Sequence, residues 1–361
     1  MSLLLYIAKD LVKRVVRNGY TEHSYLARGM NMYRHCKVPK KSIFKVSGDV
    51  VSLYRYWKAF PDTYFRFGMF VKGYDDKEQM RSYVPQDAYY RISADKDSRY
   101  HLLIDDKIIF HDIMSYYGIP VPYRYFTFRN NEFRCGSELL SDEKVDNIIG
   151  NIDDERIYVK RFTGGAASGV FVFTKQNNRK GEYADSEDVR VSASMIRDKY
   201  CDQDFFFEKQ LVQDPVLAKL NPDTVNTCRV MTYKNKVVSC NIRVGRKGSY
   251  VDNAAKGGIV LSLNMETGRI REYGLREYDL TKYYEHPDTK IKFKDYEVPM
   301  WPAVKELVER AARMLPYYNS VGFDVATTVD GPVIIEINSG TGVYASQMGM
   351  ERGIADKFKS E

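Results

Sequence analysis

Two apolar runs near the C-terminal end constrain this chain most. They are Val321-Gly322-Phe323-Asp324-Val325-Ala326 and Val333-Ile334-Ile335-Glu336-Ile337-Asn338, set on either side of Asp330-Gly331-Pro332. They read as a β-hairpin, and side chains alternate faces along each strand. A three-residue loop over 330–332 pairs Val329 with Val333, which sets Asp324 opposite Asn338 and Glu336 opposite Ala326. Asp324, Glu336 and Asn338 then share one face, and Phe323, Val325, Ile335 and Ile337 take the other; a two-residue loop would split the oxygen set. Two carboxylates about 5 Å apart repel by about 3 kcal/mol at an effective dielectric near 20, so the face calls for a proton, a basic partner or a cation. Three oxygen donors suit a hard cation, and magnesium keeps its waters while taking one or two carboxylates. The alternative is a surface hairpin whose acids pair with Lys or Arg.

A second feature is Tyr158-Val159-Lys160-Arg161-Phe162-Thr163-Gly164-Gly165-Ala166-Ala167-Ser168-Gly169-Val170, a lysine on a strand ahead of a small-residue loop. Small residues let backbone N–H groups approach phosphate oxygens closely. Neither the Gly-Lys-Ser/Thr end of a P-loop nor the helix of a dinucleotide fingerprint follows, which leaves a strand-to-strand flap or an ordinary glycine-rich hairpin.

Around these features the pattern is mixed α and β. Leu4, Ile7, Ala8, Leu11, Val12 and Val15 mark an amphipathic opening helix, suited to packing on its own domain or to an anionic membrane. The stretch from Tyr20 to Tyr100 is basic and rich in tyrosine. Ile108, Ile109, Ile113 and Met114 form a helical stripe that stops at Gly118. Strands are expected at 156–160, 170–174, 205–208 and 259–263, with a hairpin of Cys228 to Tyr233 and Val237 to Val244 over Lys234-Asn235-Lys236. A helix through Val304, Leu307, Val308, Ala311, Met314 and Leu315 precedes the C-terminal hairpin.

The 361 residues suggest two or three domains, and 44% apolar with 29% charged residues excludes a disordered chain. The run Leu3 to Ala8 is too short to span a bilayer. Five cysteines without CxxC spacing suggest neither disulfides nor zinc, and a reducing cytoplasm is expected. The net charge of +7 fits a polyanion or a phosphorylated ligand, but no nucleic-acid-binding signature accompanies it, so no nucleic-acid partner is expected.

Lys107 opening a helix that ends in Gly118-Ile119-Pro120, Lys160 before the glycine loop, Glu208 on a strand, and the set Asp324, Glu336, Asn338 follow the order found in ATP-grasp proteins, which this chain resembles over roughly Lys96 to Met350. Asn226-Thr227-Cys228-Arg229, Arg243-Val244-Gly245 and Val251-Asp252-Asn253-Ala254-Ala255-Lys256-Gly257-Gly258 are most similar to the sugar-transfer-associated group linked to polysaccharide biosynthesis. The resemblance implies an α+β fold in which two subdomains clamp ATP. It divides the covered part of the chain into a linker helix and start of the ATP-grasp fold at 101–124, a lid at 125–212 and a metal-binding, catalytic subdomain at 213–361; the helical, aromatic-rich region at 1–100 lies outside the resemblance and is expected to recognise an acceptor or partner.

It also implies site roles. Lys107, Lys160 and the loop residues Gly164, Gly165, Ser168 and Gly169 contact phosphates; Glu208, Lys209, Gln210 and Leu211 form the adenine hinge; Asp214 is the candidate for the ribose hydroxyls. Asp324, Glu336 and Asn338 hold Mg2+, and Arg229, Arg243, Lys256 and Asn253 serve the acceptor chemistry. Many amino-acid-type ligases of this superfamily carry an arginine two residues before the metal-binding aspartate, where this chain has Gly322, so Arg229 or Arg243 is expected to stabilise the oxyanion instead. The implied reaction is carboxylate–amine ligation through an acyl phosphate, on a small-molecule or sugar-linked carboxylate, in company with polysaccharide-biosynthesis enzymes. Two alternatives stand beside it: an ATP-grasp kinase acting on a hydroxyl, and a non-catalytic assembly or polyanion-binding protein. None of His23, His35, His101, His111 and His286 lies in these motifs.

Overall fold

The computed structural model describes residues 25–94, 100, 102–163, 169–249, 252, 257–276, 281–339 and 341–358. The expected opening helix and the site candidates Gly164, Gly165, Ser168, Asn253 and Lys256 lie outside them. The chain divides into two units, one running to Ile92 and resuming at Glu351, the other spanning Ser93–Met350.

The first unit is helical: α1 (Tyr25–His35), α2 (Ile43–Trp57), α3 (Asp62–Arg66), α4 (Lys77–Ser82) and α5 (Gln86–Ile92). Several of its aromatic residues fill the core, since Tyr64, Phe65 and Phe70 are buried with Val46, Leu53, Met69 and Met80. Ser42 caps α2 and Asp76 caps α4 through their side-chain oxygens. A buried polar knot joins the helices to the loops: Lys41 Nζ lies 2.8 Å from Asp49 Oδ2, and the Tyr64 hydroxyl donates to the same oxygen at 3.0 Å. For Asp62 burial outweighs the pull of Arg66. Burial pushes its carboxyl from 3.8 up to about 7.

In the second unit α6 (Leu102–Asp105) and α7 (Lys107–Tyr116) come first. Asp106 caps α7 by accepting from the amides of Ile108 and Ile109, and the helix starts at Lys107 as expected. Its buried side differs from the expected stripe. Phe110 and Met114, one turn apart, enter the core, and Ile109 stays 39% exposed.

Two antiparallel sheets follow. The first contains β1 (Arg124–Arg129), β2 (Glu132–Cys135), β3 (Glu138–Leu140), β4 (Arg156–Arg161), β5 (Val170–Lys175), β6 (Tyr183–Ala184) and β7 (Phe205–Lys209), in the order β3-β2-β1-β7-β4-β5-β6. Its core is aromatic, with Phe126, Phe128, Phe133, Phe173, Phe205 and Phe207 packed beside Val145 and Ile149 of α8 (Asp142–Asn151) and Met195 and Ile196 of α9 (Ala193–Tyr200). After the short α10 (Pro215–Ala218), the second sheet contains β8 (Thr227–Tyr233), β9 (Lys236–Val244), β10 (Ile259–Leu263), β11 (Ile270–Leu275), β12 (Ser320–Thr328) and β13 (Gly331–Asn338), in the order β11-β10-β9-β8-β12-β13. One face of it, formed by Val230, Ile242, Leu261, Phe323, Val325 and Ile337 among others, packs on Trp301, Val304, Val308 and Ala311 of α11 (Trp301–Arg313) and on Phe110 and Met114 of α7. The opposite face is polar. It is partly covered by α12 (Val343–Gln347), which packs on β8, β9 and β10.

Candidate active site

The polar face is built by register. Glu336, Asp324, Arg229, Asn241 and Ser262 lie directly across from one another on β13, β12, β8, β9 and β10. The C-terminal hairpin reaches this arrangement by a different route from the expected three-residue loop. Thr328 pairs with Gly331, so the loop is the two residues Val329 and Asp330, and Gly331 and Pro332 belong to the strand. Continued unbroken, that register would have turned Glu336 away from Asp324. A β-bulge at Ile335 inserts one extra residue and restores the phase. Asp324 therefore faces Glu336, Asn338 faces Gly322 and Ala326 faces Val333. The three oxygen side chains share a face, as expected, but with different partners.

The carboxylates are neutralised by cations from neighbouring elements. Arg229 grips Asp324 in a two-point fork, Nε to Oδ1 at 2.5 Å and Nη2 to Oδ2 at 2.9 Å. Arg243 Nη1 approaches Asp324 Oδ2 at 3.5 Å. Lys107 Nζ, at the start of α7, lies 2.6 Å from Glu336 Oε1. Burial lowers the pKa of Arg229 against the pull of Asp324. For Arg243 burial also acts to lower it, but Asp324, Asp252 and Glu336 together outweigh that and raise it. The alternative reading of the hairpin, acids paired with basic residues, thus describes the contacts seen. It does not exclude the cation reading, because the same oxygens serve both.

Gly322 leaves room for Thr341 and, beside it, for Arg229. A Cβ at 322 would stand 2.5 Å from Thr341 Oγ1 and 3.3 Å from Arg229 Nη1. Arg229 also donates to Thr341 Oγ1 at 3.4 Å. Thr341 thus takes most of the space that a side chain two residues before Asp324 would fill, with the guanidinium at its edge.

On the first sheet, Lys160 Nζ meets Glu208 Oε2 at 2.5 Å across adjacent strands. Glu208 is buried. The expected hinge is tied into the backbone: the Lys209 amide donates to the Tyr123 carbonyl, and Gln210 Oε1 accepts from the Arg156 amide at 2.9 Å. Leu211 follows directly, half-buried. Asp214 caps α10 by accepting from the Val216 amide, a structural use of the carboxylate proposed for ribose. Gly169, at the end of the flap, has φ +79, and a Cβ there would meet Arg161. The backbone also joins α7 to this sheet, because the Lys107 amide donates to the Phe162 carbonyl at 2.9 Å.

Three contributors went unselected in the sequence. Asp252 is buried, and its Oδ2 accepts from the Thr227 amide at 2.8 Å and from the Thr227 hydroxyl. Burial foremost raises its pKa, against the effect of Arg243. Asp252 lies inside a motif that was noticed, but its link to Thr227 is visible only in three dimensions. Thr341 is the second, and Asn241 the third; both amide atoms of Asn241 are buried without a hydrogen-bond partner among the described residues. His286 is structural, since Nε2 bonds to the Gly245 carbonyl and Nδ1 accepts from the amides of Asp288 and Thr289.

Among the described residues no group of three or more His, Cys, Asp or Glu side chains is arranged to hold a metal alone. The donor set is two carboxylates and the Asn338 amide, whose Nδ2 is buried without a partner. That is too few for a closed protein cage, and it fits an ion that keeps waters and takes further oxygens from a phosphate.

A sequence profile described as sugar-transfer associated ATP-grasp matches residues 87–360. No curated protein matches the chain. Among solved structures, D-alanine–D-alanine ligase from Bacillus anthracis is 14% identical, with 66% of this chain and 57% of that one covered and a TM-score of 0.35. The ATP-grasp ligase PsnB complexed with minimal precursor is 13% identical, with coverages of 72% and 62% and a TM-score of 0.39. N5-carboxyaminoimidazole synthase from Aspergillus clavatus is 12% identical, with coverages of 71% and 51% and a TM-score of 0.39. The chain spans under two thirds of the length of each of these three. The profile match covers most of the chain, over the same residues that carry both sheets, and the chain belongs to the sugar-transfer associated ATP-grasp family.

Proposed function

We propose that this protein is an Mg-ATP-dependent ligase that joins a carboxylate to an amine through an acyl phosphate, with a sugar or polysaccharide precursor as the substrate class. The observation that carries the reading is the direct opposition of Asp324 and Glu336 on one polar face, each neutralised by a cation from a different element. Such a face can exchange its lysine for a metal and offer that lysine to a phosphate.

In this reading Lys107 and Lys160 bind phosphate oxygens, residues 125–212 form the lid, and Glu208 to Leu211 meet the base. Residues 1–100 recognise the acceptor or a partner. Asp324, Glu336 and Asn338 hold magnesium, which when bound neutralises charge on the triphosphate. The substrate carboxylate oxygen attacks the γ-phosphorus, the bond to the β–γ bridging oxygen breaks and ADP leaves. The amine nitrogen then attacks the acyl carbon, phosphate departs and the amine gives up a proton. Arg229 and Arg243 are the donors for the tetrahedral oxyanion, a role the vacancy at Gly322 supports. Lys256 and Asn253 are assigned to the same wall by the family motif. The intact set Lys160, Asp324, Glu336 and Asn338 supports an enzyme over a binding scaffold.

The test is a coupled ADP-release assay over uronic and amino acids, with hydroxylamine as a generic amine. ADP and free phosphate are expected in equal amounts. Glu336→Ala and Lys160→Ala should each lower turnover by about 100-fold or more with the fold retained. Phosphate kept on the product, or near-normal turnover in either variant, overturns the reading.

A further inference from the structure

The positive charge of this chain is not evenly spread. Residues 25–60 hold eight Lys and Arg against one acid, Asp49. That acid is buried and bonded to Lys41 and Tyr64, so it offers nothing to the surface. Within the same stretch Val38, Ile43 and Phe44 are 50%, 45% and 86% exposed. An exposed phenylalanine of that degree, beside two exposed aliphatic residues, leaves apolar surface in water that a folded chain otherwise buries.

The segment carrying these residues is held firmly. The Lys41 amide donates to the Phe70 carbonyl, the Tyr33 hydroxyl donates to the Lys41 carbonyl at 2.9 Å, and Lys40 Nζ donates to the Tyr33 carbonyl at 2.7 Å. Ser42 caps the first turn of α2, the turn that carries Ile43 and Phe44. Phe44 therefore projects from a fixed corner. Exposed Arg34, Lys37 and Lys45 bracket the apolar residues. Lys45 makes long ion pairs with Asp49 at 3.8 Å and with the exposed Asp75 at 4.0 Å, so it shares its charge with one exposed acid from outside the stretch.

We infer that this corner is a docking surface for an anionic lipid bilayer, with Val38, Ile43 and Phe44 entering the headgroup region and Arg34, Lys37 and Lys45 meeting lipid phosphates. The combination of an outward aromatic with flanking cations and no exposed acid within 25–60 matches the two requirements of reversible interfacial binding, apolar area and attraction to negative headgroups. The inference does not rest on the ligase chemistry, since none of these residues is assigned there to phosphate, metal or acyl group; it gives a lipid surface as the partner of part of the region 1–100.

The test uses the full chain and vesicle flotation. Binding is expected to phosphatidylcholine vesicles containing about 30 mol% phosphatidylglycerol, with little binding to phosphatidylcholine alone and a loss as salt rises from about 0.05 to about 0.5 M. Phe44→Ser should weaken binding about tenfold. Lys37→Glu with Lys45→Glu should weaken it by about 25-fold or more, at about fivefold for each cation lost. Circular dichroism checks that both variants stay folded. The inference is overturned if the unaltered chain does not float, if both variants float as it does, or if sedimentation shows instead a dimer that Phe44→Ser dissociates.

Discussion

The two sheets of the larger unit carry ion pairs of different construction. On the first, Lys160 and Glu208 form a single pair across neighbouring strands. On the second, Arg229, Asp324 and Arg243 form a buried cluster, with Asp252 close to Arg243 and Lys107 reaching Glu336 from a helix. A single pair can be opened by moving one lysine. Asp324 and its two arginines are held from several sides, and a preorganised field of this kind suits developing charge better than a mobile one. On the function proposed above, grip falls to the lysines and chemistry to the arginine cluster of the second sheet.

The largest effect that can break this comparison is Arg229→Met against Lys160→Met. Removing one member of a buried pair strands the other, so Arg229→Met should cost about 3–5 kcal/mol of unfolding free energy. Lys160→Met strands the equally buried Glu208, whereas Asp324 keeps Arg243 after Arg229→Met, so Lys160→Met should cost as much or more. Trp301 is buried in the core beneath the second sheet, so its fluorescence, with Trp57 replaced by Phe, reports on this unit in denaturant. A clearly smaller cost for Lys160→Met would dissolve the distinction between a lone pair and a cluster with a second cation.

Next in size is Gly322→Ala. The new methyl must displace Thr341 or press on Arg229. The expected cost is about 2 kcal/mol. Thr341→Gly in the same chain removes both threonine atoms that the new methyl meets first; it will recover little if Arg229 is the obstacle, and recovery of most of the loss would place the obstacle at Thr341.

The smallest effect contrasts both neutralised acids with Asp62, a buried carboxyl in the helical unit. Its folded pKa of about 7 exceeds the ordinary 3.8, so the folded form holds a proton that the unfolded form releases. The stability from this group is complete below 3.8, falls as pH rises toward 7 and is flat above. Asp62→Asn should therefore raise stability at pH 8 by about 1 kcal/mol and give no gain at pH 4. Trp57, with Trp301 replaced by Phe, is the reporter. A gain that does not change with pH would mean Asp62 is ionised in the fold.

Much of this was legible in the residues. Alternation placed Asp324, Glu336 and Asn338 on one face, and the strands around Arg229 and Arg243 were visible in their β-branched runs. What escaped was pairing. In both hairpins the sequence suggests a three-residue loop. In both, the chain makes a two-residue turn and adds a bulge, so Lys234 and Asn235 form one turn and Val329 and Asp330 the other. The two deviations cancel in phase, which is why the face came out right and the partner of Asp324 did not. Gly331-Pro332 looks like a loop because local turn chemistry cannot reveal that an edge strand, which tolerates proline, begins there. Asp252 and Asn241 were invisible for a further reason: their significance is burial across strands far apart in the chain.

The bulge at Ile335 also makes this hairpin respond unequally to changes in length. Deleting that one residue would leave Val325 with Ile334 and Asp324 with Glu336 as consecutive pairs of an unbroken ladder, so Glu336 and Asn338 would keep their face. Adding a residue beside it would exceed what a one-residue bulge absorbs, and both side chains would turn toward the hydrocarbon layer beneath α11. The strand can lose one residue there and keep its centre, but it cannot gain one.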